Sequence, residues 1–266
     1  MSASLVDPAR AALAHNEPAI RIRGLSKAFG AQHVLRGLDL DVRQGQVTVV
    51  IGLSGAGKSV LLKLILGLLP PDAGTIEIDG TDILSLPPRK MRALRRHFGM
   101  VFQHGALFDS MSIYENVAFP LREHEKLPED ELARRVLAAL DDVGLQGHEA
   151  KMPSALSGGM RKRASLARAL VRNPRFLLYD EPTTGLDPIR TASIDRLIHE
   201  TAMRHPEISS LVISHDMTAT FRIADHVAML YDGRIVAQGP PDVMLHHEDP
   251  LVQQFIRGDL DGPIPT

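Results

Sequence analysis

The sequence predicts an α/β fold: buried parallel strands, a smaller antiparallel β layer and a helical subdomain, arranged around one phosphate-binding loop. Three observations carry the prediction. The β-branched run Val47-Thr48-Val49-Val50-Ile51 leads into a glycine-rich loop, Gly52 to Ser59, and then into the apolar stretch Val60 to Leu66, which reads as a buried helix. Two near-continuous apolar runs, Phe176 to Tyr179 and Ser210 to Ile213, have the character of parallel strands covered on both faces. Between residues 104 and 172 helical periodicity replaces strand alternation.

Taken in order, residues 1–18 read as a flexible leader. Ile20-Arg21-Ile22-Arg23 and the stretch Val34 to Val42 follow, the latter with Leu38, Leu40 and Val42 alternating against Asp39 and Asp41. Thr75-Ile76-Glu77-Ile78-Asp79-Gly80 alternates in the same way, so these segments are expected to form the antiparallel layer. Arg89 to Arg96 is basic and helical in pattern; it is read as a solvated face, with contact to anionic lipid headgroups as the sharper alternative. Phe98 to Val101 is a strand that runs on through Phe102 to Gln103. Pro128-Glu129-Asp130 starts a helix with acids in its first turn, Leu132, Val136, Leu140 and Val143 mark its buried face, and Gly144 ends it. Val227 to Tyr231 and Arg234 to Val236 form a hairpin across Asp232-Gly233.

Bulk composition narrows the function. The 266 residues carry a net charge of −2, so no broad basic field points to nucleic acid. The absence of cysteine excludes disulfides, thiolate metal sites and a cysteine nucleophile. The longest apolar run, Val60 to Leu69, is interrupted by Lys63 and is too short to span a bilayer. A membrane role therefore requires a second chain. The pair His246-His247 has no third ligand in sequence and is read as structural.

The chemistry concentrates in a few short stretches. Gly52-Leu53-Ser54-Gly55-Ala56-Gly57-Lys58-Ser59 follows a strand and opens a helix, the context that a Gly-x-x-x-x-Gly-Lys-Ser pattern needs. Its glycines allow backbone N–H groups to close on phosphate oxygens, and the helix N-terminus adds partial positive charge. Lys58 is expected to reach the β- and γ-phosphates of ATP, and Ser59 to ligate Mg²⁺. Asp180 and Glu181 stand at the C-terminal end of an apolar strand, where an open α/β sheet binds its ligands. Asp180 is read as a metal ligand and Glu181 as the base that takes a proton from water. Ser157 is a plausible N-cap, and Gly158-Gly159 leave N–H groups open to an anion.

Leu156-Ser157-Gly158-Gly159, followed by Asp180-Glu181, resembles the signature and Walker B elements of ABC-transporter ATPases, over residues of about 19–245. The fold implied is a P-loop NTPase of the ABC ATPase type with a RecA-like core, the antiparallel β layer and a helical subdomain at about 104–172. The resemblance implies roles for further residues. Gln103 matches the Q-loop glutamine, a metal ligand and catalytic residue, Asp187 the D-loop, and His215 the switch histidine, while Phe29 takes the aromatic position that stacks on adenine. It also implies a head-to-tail homodimer, each ATP held between one chain's Gly52, Ser54, Gly55, Ala56, Gly57, Lys58 and Ser59 and the other's Ser157, Gly158 and Gly159.

Met160 and the stretches 103–111, 115–124, 254–258 and 261–265 are similar to the Mla-type phospholipid-transport ATPases. That narrower resemblance implies a peripheral protein on the cytoplasmic side of the inner membrane, bound to a permease, an MCE-domain substrate-binding protein and a STAS-domain subunit. The competing readings are a transporter ATPase for another cargo such as a small polar nutrient, a soluble ABC ATPase acting on ribosomes or DNA, and a scaffold that no longer hydrolyses. Two surfaces are expected to bear on assembly. Leu107, Phe108, Ile113, Tyr114, Val117 and Phe119 exceed what a short segment hides alone, and part of them should groove a permease helix. In the tail, 246–266, Asp249-Pro250 should start a helix whose Leu251, Val252, Phe255 and Ile256 share one face, packed either on this subunit or on a partner.

Overall fold

The computed structural model describes residues 18–103 and 105–265. The leader, except for Pro18, and His104 lie outside the described residues. The fold is the α/β architecture that the sequence predicts, in two sheets. The first contains β1 (Pro18–Phe29), β2 (Gln32–Arg43), β4 (Ala73–Ile78) and β5 (Thr81–Asp82), antiparallel in the order β2-β1-β4-β5. The second contains β3 (Val47–Ile51), β6 (Phe98–Val101), β7 (Phe176–Asp180), β8 (Ser209–Ser214), β9 (His226–Tyr231) and β10 (Arg234–Gly239). Its order is β10-β9-β3-β8-β7-β6, parallel except for the β9–β10 hairpin.

Strand chemistry explains the layering. Every residue of β3 and of β8 is buried, as expected of strands sandwiched between layers. In β2 the residues Leu38, Leu40 and Val42 turn inward, as the alternation indicated. They join Val50, Leu61, Leu64 and Ile65 in one apolar cluster, which glues the antiparallel sheet to helix α1 (Lys58–Ile65) and to one face of the parallel sheet. The opposite face carries a second cluster, built largely by the helices.

The helices between β6 and β7 are α3 (Ile113–His124), α4 (Glu129–Asp142) and α5 (Gly158–Leu170). They follow α2 (Pro88–Arg95), and α6 (Pro188–Arg204) and α7 (Met217–Ile223) lie further on. Their ends are chemically marked. Ser112 and Glu115 form a reciprocal capping box at the start of α3. Three acids occupy the first turn of α4. The basic helix α2 is not uniformly solvated: Arg95 donates to the carbonyls of Leu66 and Gly67, at 2.8 and 2.7 Å, where α1 ends.

The segment after β6 divides. Ile113 and Val117 are fully buried, and Leu107 and Tyr114 pack partly against the same core. Phe108 remains 42% exposed, its ring centroid 4.9 Å from that of Phe119.

At the C-terminus, α8 (Pro241–Leu245) precedes α9 (Pro250–Arg257), whose N-cap is Asp249 with Pro250 in the first turn. The predicted face is only partly realised. Val252 is fully buried in this subunit's core, but Leu251, Phe255 and Ile256 stay half-covered. The residue that closes the tail is polar. Gln254 is buried, donates to the carbonyls of Asp259 and Ile264, and accepts from the Ile264 N–H at 2.7 Å. This clamp folds the last residues back, and Ile264 is buried in the same core cluster as Val252. Val252 and Ile264 thus pack in cis, while the rest of the predicted face stays partly open. Removing residues after Asp249 takes two apolar side chains from the core, each contributing about 1.5–3 kcal/mol before ordering entropy. We predict that this truncation lowers the melting temperature of the isolated subunit by about 5–10 °C in a calorimetric scan. An unchanged melting temperature would mean that the tail stabilises nothing in cis.

Candidate functional site

The site forms where three neighbouring parallel strands end. Ile51 pairs with Ser214, and Asp180 pairs with Ile213, so the residues following β3, β7 and β8 emerge side by side. They are Gly52, Glu181 and His215.

After β3 the chain turns into α1 through the glycine loop. Gly52 is required by crowding: a Cβ there would stand 2.3 Å from the Leu230 carbonyl oxygen of β9. Gly57 adopts φ of 101°, and its Cβ would stand 2.8 Å from Val34 on β2. These close approaches pull the loop against both sheets and leave its N–H groups at the start of α1, the arrangement that receives phosphate. Lys58 is 4% exposed and donates to the carbonyls of Gly52 and Leu53, both at 2.9 Å. Burial lowers its pKa, and the charges of Glu181 and Asp180 oppose that shift.

Ser59 donates to Asp180 Oδ1 at 3.0 Å, joining the start of α1 to the end of β7. The next residue, Glu181, has φ of 47°, a left-handed conformation that a non-glycine residue holds at a cost. Its N–H still bonds the Ile213 carbonyl of β8 at 3.0 Å. Its carboxylate is surrounded by Lys58 Nζ at 3.9 Å, His215 Nδ1 at 3.3 Å and the Thr184 hydroxyl, which donates at 3.0 Å. Thr184 is a contact that the sequence reading missed; its position three residues beyond Glu181 was the available clue.

Phe29, Ser54, Gly55, Gly57, Lys58, Ser59, Gln103 and Glu181 line one cleft of about 400 Å³, within the range of small-molecule sites. Phe29 is 47% exposed at the end of β1, with Lys27 Nζ over its ring 5.6 Å from the centroid. The cleft has a cation, the glycine loop at the start of α1 and an aromatic side chain in its lining, with oxygen donors in Ser59 and Gln103 and, bonded to Ser59, in Asp180. That set fits a nucleoside triphosphate with a hard divalent cation, and among the described residues no cluster of three or more histidines and carboxylates offers a dedicated metal cage.

Two predicted groups lie off this cleft. Ser157 caps α5 by accepting from the Met160 N–H, and Gly158-Gly159 form its first turn. Asp187 caps α6, accepting from the Arg190 N–H at 3.0 Å. Gly158 lies close to the residue before Asp187, since a Cβ on it would stand 3.3 Å from Leu186 Cδ2.

A second cleft, of about 500 Å³, opens beside the Gln103 loop. Its apolar surface includes Phe98, Phe102, Phe108 and Phe119, and its rim includes Arg92 and Arg96. His246 and His247 serve local turns instead: one stands 2.9 Å from the Asp242 carbonyl, the other accepts from the Asp249 N–H.

Comparison with known proteins agrees with this geometry. The ABC transporter family model matches residues 35–184, more than half of the chain. The chain is 45% identical to a probable ribonucleotide transport ATP-binding protein, mkl, of Mycobacterium leprae, over 92% of this chain and 71% of that protein. It is 42% identical to the intermembrane phospholipid transport system ATP-binding protein MlaF of Haemophilus influenzae, over 94% of each. Among solved structures, cbiO1 from Clostridium perfringens superposes with a TM-score of 0.80 at 31% identity, covering 91% of this chain and 96% of that one. The dimeric cassette MJ0796 with ADP and Pi superposes at 0.74 and 27% identity, over 84% and 98%. The chain belongs to the ABC transporter family, as an ATP-binding, ATP-hydrolysing cassette.

Proposed function

We propose that this cassette energises phospholipid movement between the inner and outer membranes, bound to a partner permease on the cytoplasmic side of the inner membrane. The convergence of Lys58, Thr184 and His215 on the Glu181 carboxylate supports the hydrolytic half of the reading. Lys58 and the loop N–H groups bind the phosphates, and Phe29 stacks on the base. Glu181 accepts a proton from the attacking water, and His215 orients that carboxylate. Ser59, Asp180 and Gln103 would hold Mg²⁺, which supplies neutralisation of phosphate charge.

The working unit is proposed to be a homodimer. Ser157, Gly158, Gly159 and Asp187 lie off their own chain's nucleotide cleft, as they should if they serve the cleft of a second copy. The MJ0796 cassette, a structural neighbour, is dimeric in its own structure.

The cargo reading rests on the relatives named for phospholipid transport, and on the sequence features around 103–124, Met160 and the tail. An MCE-domain substrate-binding protein and a STAS-domain subunit complete the proposed assembly. A second reading keeps the ATPase and changes the cargo, since relatives at 44–45% identity carry a name for ribonucleotide transport. Among the described residues no helix is long and apolar enough to cross a membrane, so the cleft beside the Gln103 loop is the proposed seat of a permease helix. Purification of the assembly in mild detergent, with mass spectrometry of chains and bound lipid, tests the reading. Recovery of a permease without phospholipid would favour the second cargo.

Two mutations probe the parts. Glu181→Gln keeps the shape and removes the base, and we predict that turnover falls by about 10²–10⁴-fold with ATP binding retained. Near-normal steady-state ATPase activity would refute the role of Glu181. Phe108→Ala removes an exposed ring from the second cleft, and we predict weaker co-purification of the permease with nucleotide affinity unchanged. Equal permease recovery at an unchanged melting temperature would place the docking elsewhere.

A further inference from the structure

The helix that begins with Gly158-Gly159 holds the loop after β6 by its main-chain carbonyls. Lys162 donates to the carbonyl of Gln103. One turn and a half further along α5, Arg168 donates to the carbonyls of Gly105 and Ala106, at 3.0 and 2.7 Å. Ala106 is itself in a left-handed conformation, with φ of 48°. The loop is therefore bent and fastened to one rigid helix.

Lys162 is the unusual member of this pair. It is 7% exposed, and burying an ammonium among helices is costly unless charge and hydrogen bonds compensate. Compensation comes from the Gln103 carbonyl and from the fields of Asp180 and Glu181. An unbranched apolar side chain would fill the same space without the desolvation cost. What such a chain lacks is a hold on the backbone of Gln103, whose residue lines the nucleotide cleft with Lys58, Ser59 and Glu181. Gln103 is consequently placed between two elements: it borders the phosphate end of the cleft, and its carbonyl is fixed to the helix that starts at Gly158.

We infer that Lys162 is a positioning residue for ATP hydrolysis: through the Gln103 carbonyl it ties the loop carrying Gln103 to the helix carrying Gly158-Gly159, so that the two move together. The inference rests on reading Gln103 as a residue of the phosphate site. A rigid tether of this kind does not contact the reacting atoms. It limits how far the Gln103 amide wanders from them, and small misplacements of a positioned group cost rate steeply.

The test uses the full chain with Lys162→Met, Lys162→Arg, Gln103→Ala and the double variant Gln103→Ala/Lys162→Met. For Lys162→Met we expect kcat to fall by about 10- to 100-fold while affinity for a fluorescent ATP analogue is unchanged. In the nucleotide-free protein, deuterium uptake by the segment 102–107 should quicken about tenfold, with uptake over β3 and α1 unaltered. Lys162→Arg should restore both. The double variant should be no slower than Gln103→Ala alone, because the two changes break one connection. Where Lys162→Met fails to fold, Lys162→Leu, which likewise lacks a donor, replaces it under the same criteria. Unchanged exchange over 102–107, or rate losses that multiply in the double variant, overturns the inference. Normal turnover by Gln103→Ala instead removes the assignment of Gln103, while the exchange result still decides whether the tether exists.

Discussion

Register among three parallel strands governs the site. Ile51 opposite Ser214, and Ile213 opposite Asp180, set the ends of β3, β8 and β7 level. The glycine loop, His215 and Glu181 each begin one residue later, so no long loop has to bring them together. A slip of one residue along any of these strands would exchange its faces as well as shift its end. Because β3 and β8 are buried on both faces along their whole length, inward or outward patterning does little to fix that register. Contacts at the strand ends fix it: the Leu230 carbonyl pressed against Gly52, the Glu181 N–H bonded to Ile213, and Asp225 accepting from the Val47 N–H at 2.8 Å.

Electrostatics at that level junction follows from burial. Lys58 loses solvation on the floor of the cleft, and its charge is sustained by two carbonyls and two carboxylates. Lys162 repeats the arrangement on the other side, with its pKa lowered to about 8 by burial and supported by the same Asp180 and Glu181. Two acids are thus shared by two buried cations that come from different layers of the fold. Removing one acid leaves an ammonium under-compensated on each side, so substitution at Asp180 or Glu181 disturbs more than the chemistry at its own oxygen atoms.

Much of this was legible in the sequence because the informative stretches are contiguous. The glycine loop, Asp180-Glu181 and Ser214-His215-Asp216 each announce themselves within a few residues, and their strands carry apolar runs. What the sequence did not disclose are contacts between a side chain and a distant carbonyl. Lys162 reaches back 59 residues to Gln103, and Arg95 reaches 28 residues to Gly67. Asn116, fully buried, accepts from the Phe108 N–H and donates to the carbonyls of Phe108, Met111 and Ser112. Gln254 does the same for the tail. Such contacts have no period and no fixed spacing, since any donor of the right length can serve. The tail shows the limit of relying on apolar periodicity alone: of the four residues it picked out, Val252 is fully buried and Leu251, Phe255 and Ile256 are half-covered, and it passed over Gln254, which closes the fold there.

The same tethers join the walls of the two clefts. Lys162 fixes residue 103, Arg168 fixes residues 105 and 106, and Asn116 fixes residue 108. These anchors leave little slack between Gln103 in the nucleotide cleft and Phe108 on the wall of the second. Two of them belong to α5 and one to α3, helices that pack on each other. Phe102 and Phe108 are therefore connected to the helices as well as along the loop, and through them to Gln103. Apolar packing alone would let those elements slide over one another at small cost; hydrogen bonds to main-chain carbonyls, short and directional, do not. That difference is the physical reason to fasten the loop with a buried ammonium and a half-buried guanidinium despite the desolvation they carry.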